Sequence, residues 1–304
     1  MPLHPSEEDA ETFERLMPFV RLSGGTYRST YRQRFHNLDP LVNALLVKNF
    51  SSSLELRVED LAASTCLTSC EWAMTLFPLF PRLRFAASDL LLFLVEVEQV
   101  NSREVFVSEP DGHPLQYIRP PFVIPMDERE PWTLPLNRLL YAHAWRRWRS
   151  IERYRAVPDS WMDSICDETL HRDSYRLRKL SLIHPDALDL ARHDSRFVIR
   201  RQSVFERLAV PCHVIRSMNI FNRAYFSEGQ LEQGAGSVID SLLAGGIWVL
   251  GRTTQEQPPV HEVTIFRKLG SGSLEVLERL GAGSEIETIA LSASRSLETR
   301  SSDR

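Results

Sequence analysis

Apolar and polar positions along this chain follow two different periods, and the switches between them mark out its elements. Residues 54–58 read as a short strand, a stretch of small residues follows, and 69–80 then continues at helical spacing. A second strand is predicted at 82–87, closing on Ser88-Asp89. Upstream, Asp39-Pro40 reads as a helix start with proline at the first helical position, and Leu41, Leu45 and Leu46 supply the apolar face. Residues 104–108 and 115–118 flank Asp111-Gly112, a strong turn signal, and predict a hairpin. Further strands are predicted at 180–183, 197–201, 212–216 and 247–250, with helices at 185–192 and 226–243. The second of these helices is closed by Ala244-Gly245-Gly246. The runs 262–267 and 274–280 fit a final antiparallel pair.

Strand, turn and helix in this order predict an α/β fold: a mainly parallel seven-stranded sheet with an antiparallel last strand. Residues 1–50 would form a helical N-terminal cap and 51–291 the main domain, interrupted by a helical insertion at 126–178. The Ser-, Arg- and Glu-rich residues 292–304 are expected to be disordered. The insertion holds Trp132, Trp145, Trp148 and Trp161, four of the chain's 6 tryptophans. Its stripe of Leu136, Leu139, Leu140, Ala144, Trp145 and Trp148, with Arg146, Arg147 and Arg149 on other faces, can pack on the domain or cover a substrate. It can also rest on a membrane surface.

Composition narrows the function classes. The 304 residues are 43% hydrophobic and 25% charged, as in ordinary globular proteins, and the net charge of -4 argues against a general nucleic-acid binder. The longest apolar run, 90–95, is far too short for a transmembrane segment. Residues 1–12 show no export pattern, and four cysteines do not make a disulfide framework, so the expectation is a soluble cytoplasmic protein with reduced thiols. No metal site is expected: Cys66 and Cys70 sit one helical turn apart but have no neighbouring Cys or His to complete a ligand set.

The candidate chemistry gathers where the predicted strands end. A tight turn of small residues between strand and helix, Asp60 to Cys66, lets backbone approach a nucleotide-like ligand near a helix N-terminus. Asp89, after the second strand, stands where an acid can accept both hydroxyls of a ribose. His184, Arg216 and Asn219 lie at later strand ends, and Arg252 and His261 face the same end of the sheet if the strands run as predicted. Asn219 and Asn222 serve equally well as loop or helix caps. Arg28 and Tyr31 belong to an Arg/Tyr cluster that can cover an anionic or aromatic ligand or form a solvated helix face.

Taken in order, Asp60-Leu-Ala-Ala-Ser-Thr-Cys66, Ala87-Ser-Asp89, Val214-Ile-Arg-Ser-Met-Asn219-Ile-Phe-Asn222 and Leu243-Ala-Gly-Gly-Ile-Trp-Val-Leu-Gly251-Arg252 resemble the class I, Rossmann-like methyltransferases that use S-adenosylmethionine. The nearest motifs are those of the chemotaxis receptor methyltransferases. The resemblance implies a cofactor site formed by Asp60, Ala62, Ala63, Ser64, Thr65 and Asp89, with Gln202 and Ser203 flanking the adenine and Asn219 at the floor. Arg216 and Asn219 would be the catalytic candidates; Asn222, Arg252, Trp145 and Tyr31 would meet a small-molecule substrate, with Arg28 and Trp148 shaping its pocket. The family's turn carries glycine at the positions of Ala62, Ser64 and Cys66; a Cβ there disfavours positive φ, so an approach to the cofactor that is looser or blocked is expected here. Leu67-Thr68 replaces the acidic pair of the chemotaxis enzymes, and receptor glutamate methylation is not implied.

The implied function is methyl transfer from S-adenosylmethionine to a small molecule. The alternative is a non-catalytic, methyltransferase-like binding or scaffold protein that has lost the cofactor, a reading that rests on the glycine-free turn. A nicotinamide oxidoreductase would want a Gly-x-Gly turn, which is absent.

Overall fold

The computed structural model describes residues 7–23, 28, 30–100, 102–126 and 135–302. Two helices come first, α1 (Glu7–Leu16) and α2 (Asp39–Asn49). Then follow β1 (Arg57–Leu61), α3 (Leu67–Leu76) and β2 (Arg84–Asp89). Next come β3 (Phe93–Gln99), β4 (Val105–Ser108), β5 (Pro114–Arg119), β6 (Phe122–Pro125), α4 (Pro135–Ser150), β7 (Thr169–Arg172) and β8 (Tyr175–Ser181). The chain closes with α5 (Pro185–His193), β9 (Phe197–Arg201), β10 (Cys212–Met218), α6 (Glu228–Ser241), β11 (Leu242–Glu256), β12 (Pro259–Lys268), β13 (Leu274–Leu280) and α7 (Glu287–Ser302).

These elements divide into two compact units. One takes Thr30–Leu90 and the described residues from Pro185 onward; the other takes the described residues of Ser6–Ser29 together with Leu91–His184. The first unit is built on a seven-stranded sheet in the order β13-β12-β11-β10-β1-β2-β9. The ladders from β9 through β11 are parallel, while β11 with β12 and β12 with β13 are antiparallel. The fold is therefore α/β with a mainly parallel sheet and an antiparallel finish.

Period-two alternation sends the side chains of β1 and β10 to opposite faces. Leu61 and Ile215 join the α6/α7 core, with Trp248, Phe266, Leu231, Val238, Ile286 and Ile289. On the face toward α3, Trp72 meets Phe85 edge-on and donates its indole N–H to Asn43 of α2 at 2.8 Å. The helices on both faces cover a sheet that is buried on both sides, as parallel sheets require.

The tail expected to be disordered from residue 292 is instead helical as far as Ser302. Ile286, Ile289 and Ala290 are fully or nearly fully buried in the α6 core, and Ser294 Oγ accepts the Leu274 N–H at 3.2 Å. This apolar anchor carries a polar composition that taken alone suggests disorder.

The second unit is an antiparallel six-stranded sheet in the order β6-β5-β4-β3-β8-β7, together with α1 and α4. It departs from the first unit after β2 and returns before α5, so it is wider than the helical stretch expected at 126–178. That stretch supplies α4 and, in its second half, β7 and the beginning of β8. The strand expected at 180–183 is the end of β8 and pairs with β3 in this sheet, not in the first one. The N-terminal helices are shared out, α1 to this unit and α2 to the first. Trp132 lies outside the described residues. No helix among the described residues is long and apolar enough to cross a membrane.

Candidate functional site

In the first unit the chain winds one way from β1 through β2 to β9 and the other way from β10 to β11, so the switch point lies between β1 and β10. Open α/β sheets bind ligands there, beyond the carboxyl ends of the strands. The turn leaving β1 carries three non-glycine residues in the left-handed region: Ala62 at φ 57°, Ser64 at 54° and Cys66 at 61°. These are the three positions where the resembled family places glycine. A side chain disfavours this conformation, yet the backbone adopts it at all three positions, at a cost of about 1–2 kcal/mol per residue.

Strain of this size persists only where neighbours over-determine it. Here Ala63 donates its N–H to Ser88 O at 2.9 Å, Ser64 donates its N–H to Asp89 Oδ2 at 2.8 Å, and Cys66 donates its N–H to Ala63 O at 2.8 Å. Gln202 donates its backbone N–H to Asp89 O at 3.1 Å. The structure thus joins Ala63, Ser64, Asp89 and Gln202 in one chain of contacts across the ends of β1, β2 and β9. Asp89 faces the turn and is partly exposed. Thr65 is 1% exposed, and its Oγ1 finds no hydrogen-bond partner among the described residues. A buried hydroxyl left so costs about 1–3 kcal/mol. Helix α3 begins right after, with no side-chain cap at Cys66 and no acid in its first turn.

Ser203 Oγ accepts the Phe205 N–H at 3.2 Å, and the Gln202 amide donates to Ser203 O and Glu206 O, both at 3.1 Å. These two residues brace the β9–β10 loop beside Asp89.

Beneath the turn lies a buried charge cluster. Arg216, fully buried, donates from Nε to Asp60 Oδ1 at 2.9 Å, from Nη2 to Asp60 Oδ2 at 2.5 Å and from Nη1 to Asp39 Oδ1 at 2.9 Å. Its guanidinium lies 4.2 Å from the centre of the Trp72 ring, and Ser69 Oγ donates to Asp60 at 2.6 Å. Asp60 and Arg216 are direct neighbours in the parallel ladder. The catalytic role expected for Arg216 is corrected by this geometry: every side of the group is occupied by the frame, and no substrate reaches a fully buried guanidinium. Arg216 fixes the switch point instead, as does Asp60, which is 3% exposed.

Asp39 is the partner that sequence reasoning missed, because an acid before proline at a helix start reads as a solvent-facing cap. Burial, reinforced by the charge of Asp60 and only partly offset by Arg216, pushes its carboxyl up to about 7. A folded-state value above the unfolded one means that the native protein holds a proton that the unfolded chain releases between roughly pH 4 and pH 7. The contribution of this cluster to stability is therefore present below pH 4, declines as pH rises to 7, and levels above it. Asp39→Asn keeps the acceptor for Arg216 without the second negative charge. It is expected to flatten that slope and to match or exceed the wild-type urea midpoint at pH 8.

Asn219, at φ 63°, donates its N–H to Gly251 O at 2.8 Å, and its Oδ1 accepts the Thr253 N–H at 2.7 Å. The other proposed catalytic residue is thus a clamp between the ends of β10 and β11. Asn222 Oδ1 accepts the N–H groups of Ala224 and Tyr225, both at 3.0 Å, and so caps a turn. Arg252 pairs with Glu262 at 3.0 Å and Glu285 at 2.7 Å. Tyr31 is partly buried, under the Arg34 guanidinium at 5.6 Å. His261 is held between Thr253 and Asn37, at 3.2 and 2.9 Å. In the other unit, His184 is 1% exposed against Glu14 and the Phe13 ring, and Arg28 donates to Leu91 O. Trp145 also belongs to that unit, on α4.

No family model matches the chain, and no curated protein matches it. Solved structures do. An O-methyltransferase family protein from Burkholderia thailandensis matches at 12% identity and TM-score 0.33, over 84% of this chain and 47% of its own. CalS10, an amino pentose methyltransferase from Micromonospora echinaspora solved with S-adenosylmethionine bound, matches at 10% identity and TM-score 0.33, over 97% and 90%. An S-adenosylmethionine-dependent methyltransferase from Clostridium acetobutylicum matches at 11% identity and TM-score 0.35, over 94% and 86%. The chain spans less than half the length of the first of these and of two further matches, the methyltransferase SibL and the CurJ carbon methyltransferase, at 37% and 36%. The narrower likeness to chemotaxis receptor methyltransferases has no counterpart among these structures.

Proposed function

We propose that the protein transfers a methyl group from S-adenosylmethionine to a small molecule, with the cofactor seated over the β1–α3 turn. The observation that carries this reading is the run of left-handed Ala62, Ser64 and Cys66 beside Asp89. A chain that has replaced all three glycines yet keeps their backbone shape bears several kcal/mol of strain, which suits a turn shaped for a ligand. The orphaned Thr65 hydroxyl and the uncapped start of α3 fit the same purpose. The backbone of 62–66 would hold the methionine end, Asp89 the ribose, and Gln202 and Ser203 the adenine edge.

When bound, the cofactor supplies an electrophilic methyl carbon on its sulfonium. The chain's own contribution is positioning and the exclusion of water, which account for most of the gain in an in-line displacement. Arg216 and its acids hold β1 against β10, Asn219 holds β10 against β11, and the turn is thereby fixed before any ligand arrives. Cys66, Cys70 and Cys212 are buried as thiols, the state a reducing cytoplasm maintains.

Calorimetric titration with S-adenosylmethionine tests the reading. Saturable one-to-one heat is expected, with Asp89→Ala weakening binding by roughly tenfold or more, as loss of a charged hydrogen-bond acceptor implies. Absence of heat from folded wild-type protein at high micromolar ligand would leave the non-catalytic module as the better account.

A further inference from the structure

We infer that residues 31–37 are a strap over the switch point that opens from its Arg32–Gln33 end, with Glu71 as its latch. The inference rests on the methyl-transfer reading only for the identity of the ligand the strap admits. Outside the β1–α3 turn, the end of β10 and the β7–β8 hairpin, one further non-glycine residue stands at positive φ among the described residues: Gln33, at 58°. Both carboxylate oxygens of Glu71 lie on its N–H, at 2.9 and 3.0 Å, and Glu71 is on α3, just behind the turn. Strain of this kind collects at clamps and switches, where a neighbour enforces it. Loss of that hold lets Gln33 return to negative φ.

The segment reaches across the site. Arg32 pairs with Asp186, in the first turn of α5, at 2.7 Å. Arg34 Nε donates to Thr253 Oγ1 at 3.3 Å; the Asn37 amide donates to Pro259 O at 2.9 Å, and its Oδ1 meets His261 Nε2 at 2.9 Å. Thr253 and His261 are paired across β11 and β12, two residues beyond Gly251, the partner of the last residue of β10. Glu71 and Asp186 thus lie on the β1–β2–β9 side of the switch point, and Thr253 and His261 on the β11–β12 side. Residues 32–37 cross between them. Midway, Phe35 is buried with its ring centre 5.0 Å from the Arg216 guanidinium and 5.4 Å from the His261 ring.

The two ends of the strap are held unequally. Phe35 O accepts the N–H groups of Leu38 and Asp39 at 2.9 and 2.8 Å, which ties this end into α2, and Asp39 is bonded to Arg216. At the other end the Arg32 and Asp186 side chains are 46% and 40% exposed, so their pair contributes little, and the bond from Gln33 to Glu71 is exposed as well. A segment held in this way frees its Arg32 end first and hinges at Leu38.

Amide hydrogen exchange on the whole protein reads the opening with no ligand present. In Glu71→Ala the His36 and Leu38 amides, whose acceptors are Gln33 O and Phe35 O, are expected to exchange about tenfold faster, with α6 unchanged. Gln33→Gly takes up positive φ without a Cβ and is expected to slow the same amides by about threefold or more. Glu71→Gln keeps one acceptor oxygen and should fall between wild type and Glu71→Ala; if Glu71→Ala does not fold, it supplies the opening variant. Rapid mixing with S-adenosylmethionine then reads the gate: an opened strap is expected to raise association and dissociation rates together, by about the factor seen in exchange. Faster exchange confined to the Gln33 amide, equal acceleration in α6, the same sign for the Glu71 and Gln33 variants, or wild-type ligand rates in an opened variant would each overturn the inference. Wild-type protein that binds no S-adenosylmethionine would sink the methyl-transfer reading instead, and the signs of the exchange changes would still decide the strap.

Discussion

Arg216→Met is expected to lower folding stability by about 3–5 kcal/mol, the usual cost of removing one partner from a buried ion pair. Methionine comes close in volume, so the loss would come from electrostatics more than from a void. Asp60 and Asp39 would be left facing each other inside the protein, with Ser69 the remaining donor to Asp60. Proton uptake by the two carboxyls would relieve part of the loss, so the deficit should be larger at pH 8 than at pH 5. Adding Asp39→Asn to Arg216→Met should recover part of it by removing one of the two stranded charges. Arg216→Lys is no conservative change here: one ammonium cannot reproduce a fork that reaches Asp60 twice and Asp39 once. Urea unfolding at the two pH values reads all of this. A loss under about 1 kcal/mol at pH 8 would reduce the cluster to the standing of a surface pair.

The same cluster explains where sequence reasoning stopped short. The first strand was legible in place but not in its bounds: expected at 54–58, it runs Arg57–Leu61, three residues later at both ends. The expected end leaves Glu59 outside the strand and Asp60 at the start of the turn. Both are in fact buried, because Arg200 neutralises Glu59 and Arg216 neutralises Asp60. Those partners lie on strands far along the chain, and no local pattern announces them. The place of the turn between strand and helix, the Asp89 position at the end of β2 and the α6 helix were readable, since each rests on neighbouring residues. The inserted sheet was only partly so. Its β4–β5 hairpin has a local Asp-Gly signal, whereas the pairing of β3 with β8 joins residues about eighty positions apart. The shape of the turn was misjudged for a related reason: side-chain identity argued against positive φ, and the hydrogen bonds that enforce it come from β2.

Gly251 shows the reverse case, a residue whose motif was legible but whose physical reason was not. It lies in β11 opposite Met218 of β10 and Val263 of β12. A Cβ built on it would fall 2.4 Å from Glu262 O and 2.8 Å from Val263 Cα. Both are backbone atoms of a paired strand and cannot swing away, so the ladder itself must shift. Gly251→Ala is therefore expected to destabilise by about 1–3 kcal/mol, the range for overpacking, toward its upper end. The damage should be directional. Gly251 O accepts the Asn219 N–H, so a displaced β11 loosens the clamp at the end of β10, and amide exchange at Asn219 and Thr253 should rise more than in α6. Gly236, inside α6, supplies the control: nothing lies within 4 Å of its missing Cβ. Gly236→Ala should stabilise by about 0.5–1 kcal/mol through helix propensity alone. Opposite signs for the two substitutions in one melting experiment are the required outcome. If both stabilise, the close approach of β12 to β11 at Gly251 is wrong, and with it the rigid floor on which the cofactor reading stands.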